Sequence, residues 1–277
     1  LSSNPSIKLE WLEIFLNKPW DWNGLSLNPN VTLEWLEKFS DKPWDWKGSL
    51  SFHINLNIEW IERLPDKPWK WGRNGLSINP NITIEWLERF SDKKWIWGRD
   101  NGLSENLNIK IEWIERFPHK PWYWGEFGLS EHSNITLEWL EKFSDKPWDW
   151  GGSNSMSLSR NVNIKIEWIE RFPDKDWNWG ENGLSSNQSV TLVWLERFPD
   201  KDWDWGELGL SSNPNITLEW LERFPDKKWN WGELGLSNNK NITIEWIEKF
   251  PDKPWHWGNF GLSSNPSVTL EWLERFP

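Results

Sequence analysis

The chain has 277 residues, among them 31 Trp, 13 Phe, one Tyr, one Met, no Cys and no Ala, and its formal charge is −11. Without cysteine there is no disulfide, thiolate zinc site, iron–sulfur ligation or Cys nucleophile, and the negative balance has the wrong sign for a general phosphate-backbone binder. A composition this skewed points to a soluble array of copies rather than one irregular enzyme domain. No apolar run nears the roughly 18–20 residues that cross a bilayer, and no signal-peptide segment opens the chain. A start at Leu1 without Met reads as a processed or excerpted piece.

Each copy opens on a Leu-Ser step, from Leu1-Ser2 to Leu262-Ser263, and the eleven steps stand 24 to 29 residues apart. Eleven equivalent serines do not make a nucleophile, because active sites concentrate perturbed groups in one pocket. A hydroxyl satisfying backbone groups at a turn, with Asn three residues after the Leu, accounts for them better.

Ten residues after each Leu stands the Trp of a Glu-Trp-like step: Trp11, Trp35, Trp60, Trp86, Trp113, Trp139, Trp168, Trp194, Trp220, Trp246 and Trp272. Around Trp220, Leu218, Trp220, Leu221 and Phe224 share an arc of about 160° on a helical wheel, with Glu219, Glu222 and Arg223 opposite. Strand alternation fails at the adjacent apolar pair Trp220-Leu221. The spacing therefore predicts a short amphipathic helix of two to three turns. Glu219 and Arg223 are placed for an i,i+4 ion pair, a spacing kept in nine of the eleven copies. Thr217 and its equivalents are candidate N-caps, and Pro225 and its equivalents stop the helix.

Nine residues further on come ten Trp-x-Trp pairs: Trp20/Trp22, Trp44/Trp46, Trp69/Trp71, Trp95/Trp97, Trp122/Trp124, Trp148/Trp150, Trp177/Trp179, Trp203/Trp205, Trp229/Trp231 and Trp255/Trp257. Two Trp at i and i+2 share a face only on extended backbone, yet a compact turn or 3₁₀ segment through Asp-Lys-Pro-Trp fits equally well. Their locked spacing favours packing, since each indole brings about 150–250 Å² to bury; exposed rows that stack on ligands are the alternative. All length variation falls after the pair, in loops of two residues (Asn23-Gly24) to seven (Gly151 to Ser157). Loops absorb insertions that packed segments reject, and Gly and Asn there tolerate positive φ.

The string NPNITLEWLERFPDKKWNW at Asn213–Trp231, repeated along essentially all 277 residues, resembles tandem repeats in hypothetical proteins of giant amoeba-infecting viruses. The shared elements are Asn-Pro-Asn-Ile-Thr, Asp-Lys-Pro-Trp-x-Trp and Leu-Ser-x-Asn. This chain departs in having Leu or Ile where that pattern often has Trp before Glu, and in its longer Gly loops. The resemblance implies a repeat type and a setting in the virus particle or the infected host cytoplasm. It implies no activity.

Other chemistry is weak. His53, His119, His132 and His256 occupy three different repeat positions and have no triad context. The Glu-Trp-Leu-Glu carboxylates fall on a solvated helix face rather than flanking one cleft. Asp174-x-Asp176-x-Asn178-x-Gly180 and Asp200-x-Asp202-x-Asp204-x-Gly206 echo a calcium loop, but the Gly comes one place late and Ser185 or Ser211 stands where the bidentate Glu belongs. Six glycosylation sequons, at Asn30, Asn81, Asn134, Asn187, Asn215 and Asn241, are copies of one structural string.

The sequence thus predicts a single tandem-repeat domain over residues 1–277. Its expected fold is an α-rich solenoid of eleven stacked units, each a short helix, a Trp-x-Trp turn or extended segment and a Gly loop. A β-solenoid-like coil is the alternative. The expected function is non-enzymatic and structural: a self-assembling or head-to-tail scaffold or fibre component, partnered by copies of itself or other repeat chains. No cofactor, nucleic acid or membrane span enters this reading. The second reading is a module that binds glycans or proteins through Trp rows and variable loops.

Overall fold

Each 22-residue block with its loop makes one layer, whose corners fall where the side-chain chemistry changes. The computed structural model describes residue 2, residues 4–152 and residues 157–276. Leu1 of the first Leu-Ser step, part of the loop from Gly151 to Ser157, and Pro277 lie outside the described residues. The chain forms two compact units, Leu1–Tyr123 and Trp124–Pro277. Both are built from the same layer.

A six-residue helix forms at each Glu-Trp-like step, for example Ile84–Arg89 in the first unit and Leu218–Arg223 in the second. No strand occurs among the described residues, so the β-coil alternative falls and each unit is an α-rich solenoid. Six residues make just under two turns, shorter than the two to three expected. The chain leaves helical geometry at the residue that follows, where Phe90 has φ −111° and ψ 41°. The buried face is also narrower than the wheel arc: Trp86 and Leu87 are buried while Ile84 and Phe90 are half-buried.

The expected Thr cap is not made. Thr83 is extended, with φ −123° and ψ 169°, and its side chain accepts no backbone N–H. The turn into the helix is set earlier, by Asn79, whose Oδ1 accepts the Asn81 N–H at 2.8 Å and whose carbonyl accepts the Ile82 N–H at 3.2 Å. This carboxamide turn is a stronger local device than a hydroxyl cap.

After the helix a tight turn carries the chain round, with Lys93 N–H donating to the Phe90 carbonyl at 3.0 Å. Trp95-Ile96-Trp97 then runs without helical turns. The 3₁₀ geometry falls instead on the Leu-Ser step, as at Leu76–Ile78 and Leu210–Ser212, and in one layer that corner is α-helical, Trp22–Ser26.

The loops hang between fixed ends. In nine layers among the described residues the Leu N–H of the Leu-Ser step donates to the carbonyl of the middle residue of the preceding pair, whether the loop is short (Leu50 to Asp45, 3.0 Å) or long (Leu158 to Asp149, 2.8 Å). The last loop glycine is required by this closure and not by its φ. A Cβ on Gly209 would sit against the Asp204 carbonyl oxygen, and no glycine has positive φ. The left-handed positions are taken by Asn74, Asp100, Asn101, Phe127, Leu234 and Phe260 instead.

Candidate functional site

The residues singled out by the sequence converge on the surface where one layer meets the next. Ser77 shows the first device. Its hydroxyl donates to the Trp71 carbonyl at 2.6 Å and accepts the Ile96 N–H at 3.0 Å, so one Oγ ties two successive Trp-x-Trp segments. Ser26, Ser51, Ser159 and Ser211 do the same. A hydroxyl that donates and accepts in this way is not poised as a nucleophile.

Beside it runs a double ladder of carboxamides. Asn79, fully buried, donates from Nδ2 to the Ser51 carbonyl at 3.0 Å. Asn187 donates to Ser159 and Asn161, and Asn239 to Asn213. Two residues further on, Asn81 donates to the Ile54 and Leu56 carbonyls at 2.7 and 2.9 Å. Asn215 does likewise to Gln188 and Val190. The sequon asparagines Asn30, Asn81, Asn187, Asn215 and Asn241 thus have their nitrogens engaged with the layer before.

His53 takes the Asn place and copies both its bonds. Nε2 bonds the Asn28 carbonyl at 2.9 Å and Nδ1 accepts the Asn55 N–H at 3.1 Å, which fixes the neutral Nε2–H tautomer. The ring stacks on Trp60 at 5.5 Å. Burial pushes its pKa down, against an opposing pull from the Asn28 carbonyl. His132 is also buried at an Asn position, whereas His256 bonds the Asn259 carbonyl in its own loop.

The two Trp of a pair have different tasks. The first closes its own helix: Trp95 Nε1 donates to the Phe90 carbonyl at 2.9 Å, and Trp20, Trp44, Trp69, Trp122, Trp148, Trp177, Trp203, Trp229 and Trp255 make the same bond. The second is the socket for the following layer. Trp97 receives Trp122 edge-on at 5.1 Å, Phe117 at 5.0 Å and the Lys120 ammonium over its ring at 4.9 Å.

The same socket recurs along both units. Trp46 receives Trp69 at 5.1 Å and Lys67 at 5.2 Å; its layer partner at the Phe place is Leu64, which has no ring to offer. Trp150 receives Trp177 at 5.1 Å, Phe172 at 5.0 Å and Lys175 at 5.3 Å. Trp179 receives Trp203 at 4.9 Å, Phe198 at 5.3 Å and Lys201 at 5.4 Å. Trp205 receives Trp229, Phe224 and Lys227 in the same way. Trp22, Trp71, Trp124 and Trp231 hold Trp44, Trp95, Trp148 and Trp255 edge-on.

The sequence treats the two indoles of a pair alike, and the structure corrects this. Trp46, Trp71, Trp97, Trp150, Trp179, Trp205 and Trp231 each meet an indole of the next layer near a right angle and carry an ammonium over the ring, whereas the first indoles spend their N–H on their own layer. Burial differs as well. Trp46, Trp97, Trp124, Trp150 and Trp231 are buried, Trp22, Trp71, Trp179 and Trp205 half-buried, and of the paired Trp only Trp257 is exposed. Little ring face is therefore open to a ligand. The helix Trp from Trp35 to Trp272 are buried, with Trp11 exposed on the first layer.

Sequence reasoning missed the Lys of the Asp-Lys step, whose role depends on a ring one repeat away. The expected i,i+4 pair forms at Arg63–Glu59, Arg89–Glu85 and Arg275–Glu271, but the helix cations also reach the preceding layer, as Arg223 does to Glu196. Arg63 lies 2.7 Å from Glu37 of the preceding layer and 3.5 Å from Glu59 of its own helix. Arg171 pairs with Glu141 and Arg197 with Glu170. These pairs are half-exposed and contribute about 0–1 kcal/mol each. Burying one indole is worth several times that, roughly 4–6 kcal/mol before entropy, so the aromatic and amide ladders hold the layers.

The calcium-like strings are used as turns: Asn178 Oδ1 accepts the Gly180 N–H at 3.0 Å and Asp204 Oδ1 the Gly206 N–H at 2.9 Å. Among the described residues no three His, Asp or Glu are grouped to hold a metal ion, and no helix is long and apolar enough to cross a membrane. Two open grooves, of 580 and 740 Å³, lie between neighbouring layers, with Thr83, Lys110 and Glu112 lining one and Thr136, Lys165 and Glu167 the other. In comparisons with protein-family models, characterised proteins and solved structures, nothing matches the chain.

Proposed function

We propose that the protein is a non-enzymatic structural repeat protein, a scaffold or fibre component that stacks head to tail on copies of itself or on other repeat chains. The observation that carries this reading is the saturation of its reactive side chains. Ser77, Asn79, His53 and the Trp95 indole have their polar atoms bonded within or between layers, and the Asn81 amide nitrogen is bonded to the layer before. An enzyme needs a nucleophile, acid or base left partly unsatisfied in a pocket.

The layer surface also favours head-to-tail stacking. One side offers carbonyls and the second Trp; the other offers carboxamides, Phe, Lys and the first Trp. Two unlike faces of this kind make a heterologous contact, which extends into filaments when it does not close into a ring. Within the stack these meeting faces are well covered: Trp35 is 4% exposed and Leu221, the equivalent of Leu273, is 1% exposed. By its sequence resemblance the setting would be a giant virus particle or the infected cell's cytoplasm.

Sedimentation velocity and negative-stain micrographs across a concentration series test this. Filaments that lengthen with concentration, and that disappear with Leu273→Glu, are expected. A monomer at every concentration overturns self-association.

A further inference from the structure

Because the loops are closed at their base by the same Leu N–H bond, as from Leu210 to Asp204 and from Leu236 to Asn230, their tips can carry residues that the fold does not need. Six layers have a four-residue Gly-x-x-Gly loop, with Asn74, Phe127, Asn182, Leu208, Leu234 or Phe260 in third place. Four of these are left-handed, at φ 50° for Asn74, 58° for Phe127, 59° for Leu234 and 60° for Phe260. Asn suits that conformation, whereas a bulky side chain is strained there. Asn74 shows that the loop closes with the better residue.

Leu at this place stays open to solvent. Leu208 is 61% and Leu234 42% exposed, although further layers follow both. The three apolar tips Leu208, Leu234 and Phe260 belong to successive layers, and the last two loops are joined by the Leu234 N–H donating to the Phe260 carbonyl at 3.1 Å. Leu234 and Phe260 place apolar side chains on strained backbone and Leu208 extends the row, a combination found at binding surfaces.

The same loops carry charge. Glu207 and Glu233 precede two of the tips; Glu207 accepts from Asn230 Nδ2 at 3.5 Å, and neither glutamate forms an ion pair among the described residues. Lys227 and Lys228 line the hollow beside Asp204 and Gly206, with Lys227 stacked on Trp205 at 5.2 Å.

We propose that this edge is a docking ledge for a basic, apolar segment of a partner protein, its apolar side chains covering Leu208, Leu234 and Phe260 and its Lys or Arg groups meeting Glu207 and Glu233. The charges next to the tips select this occupant: Lys227 is held over the Trp205 ring, whereas Glu207 and Glu233 adjoin Leu208 and Leu234 directly. A second copy aligned tip to tip would set these carboxylates against each other, and an anionic lipid surface would be repelled in the same way. The proposal is independent of head-to-tail stacking, which uses the opposite chemistry on other faces of the layer.

The test compares the full chain with the triple variant Leu208→Asn, Leu234→Asn, Phe260→Asn. The probe is a fluorescent peptide of about ten alternating Lys and Leu residues, read by anisotropy, with an alternating Glu-Leu peptide as charge control. The acidic chain attracts cations everywhere, so the difference between the two proteins is the readout. The triple variant should lose about tenfold or more in affinity for the Lys-Leu peptide, while its Tm stays equal or rises. Leu234→Asn alone should reproduce the Tm result, and Glu207→Gln with Glu233→Gln should weaken binding several-fold. Unchanged peptide affinity, equal binding of the Glu-Leu peptide, or a lower Tm in Leu234→Asn overturns the proposal. So does loss of binding to phosphatidylcholine vesicles in the triple variant without any difference for the peptide.

Discussion

The Leu-Ser-x-Asn edge and the Gly-loop edge of the same layer are built on opposite terms. Along the first, Ser77, Asn79 and Asn81 aim five hydrogen bonds at backbone groups of neighbouring segments, and the sequence admits no insertion. Along the second, loops run from two to seven residues, and left-handed residues as different as Asn74 and Phe260 are accommodated. The difference follows from where bonds are anchored. A residue added inside the block would turn every later donor off its acceptor, whereas one added between Asp204 and Leu210 leaves their mutual bond of 2.8 Å intact. Specificity of the fold resides at the surface where layers meet.

The contrast can be broken or sharpened by four measurements of unfolding. Trp97→Ala removes the socket for Trp122, Phe117 and Lys120 and should cost about 3–5 kcal/mol in urea denaturation. Asn79→Leu orphans the Ser51 carbonyl and the Asn81 N–H at a cost of about 3 kcal/mol; Asn79→His should cost less, since His53 already fills that place. Should Asn79→Leu prove neutral, the ladder is not what holds the layers.

His53 gives the third. Its folded pKa is depressed below the ordinary 6.5, so the folded state disfavours the cation. Its stability is present in full above about pH 6.5 and is lost as pH falls from there toward the folded value, by at most about 1.4 kcal/mol per pH unit. Melting the chain and His53→Asn from about pH 8 down to about pH 5 should show an acid-side loss in the former that the latter lacks. Parallel profiles would mean that the imidazole is not acting as a neutral carboxamide substitute. The smallest effect is expected at the other edge. Three Gly-Ser residues inserted between Glu181 and Asn182 should cost less than about 1 kcal/mol, and a cost as large as that of Asn79→Leu would erase the distinction between the edges.

Much of this architecture is legible in the sequence. The fixed spacing of Leu, Trp and the Trp pair gives the layer, and the break in alternation at Trp220-Leu221 gives the helix. What stays hidden is the identity of partners one repeat away. Arg63 has one Glu four residues back and another in the preceding layer, and a single chain read linearly favours the nearer one. Trp150 and Trp148 look equivalent in the string, and only the stacked layer separates the ring that receives Trp177 from the one that bonds the Phe143 carbonyl. The Thr cap failed for a related reason, because Asn79 had already set the turn. The tasks of Ser and Asn at the turn could be inferred, but not that their partners lie in neighbouring repeats. His53 carried a usable signal in its Asn position.

The ladders also have a direction. Asn28, Asn79 and Asn187 donate to carbonyls of residues earlier in the chain, Arg197 reaches back to Glu170, and Lys227 reaches back to Trp205. A ribosome releases the chain in the same order. Each layer therefore emerges with its donors free and finds a finished row of acceptors waiting, so the stack can be built during translation one turn at a time. The growing tip always presents carbonyls and an open Trp socket, and only a sequence of the same pattern satisfies both.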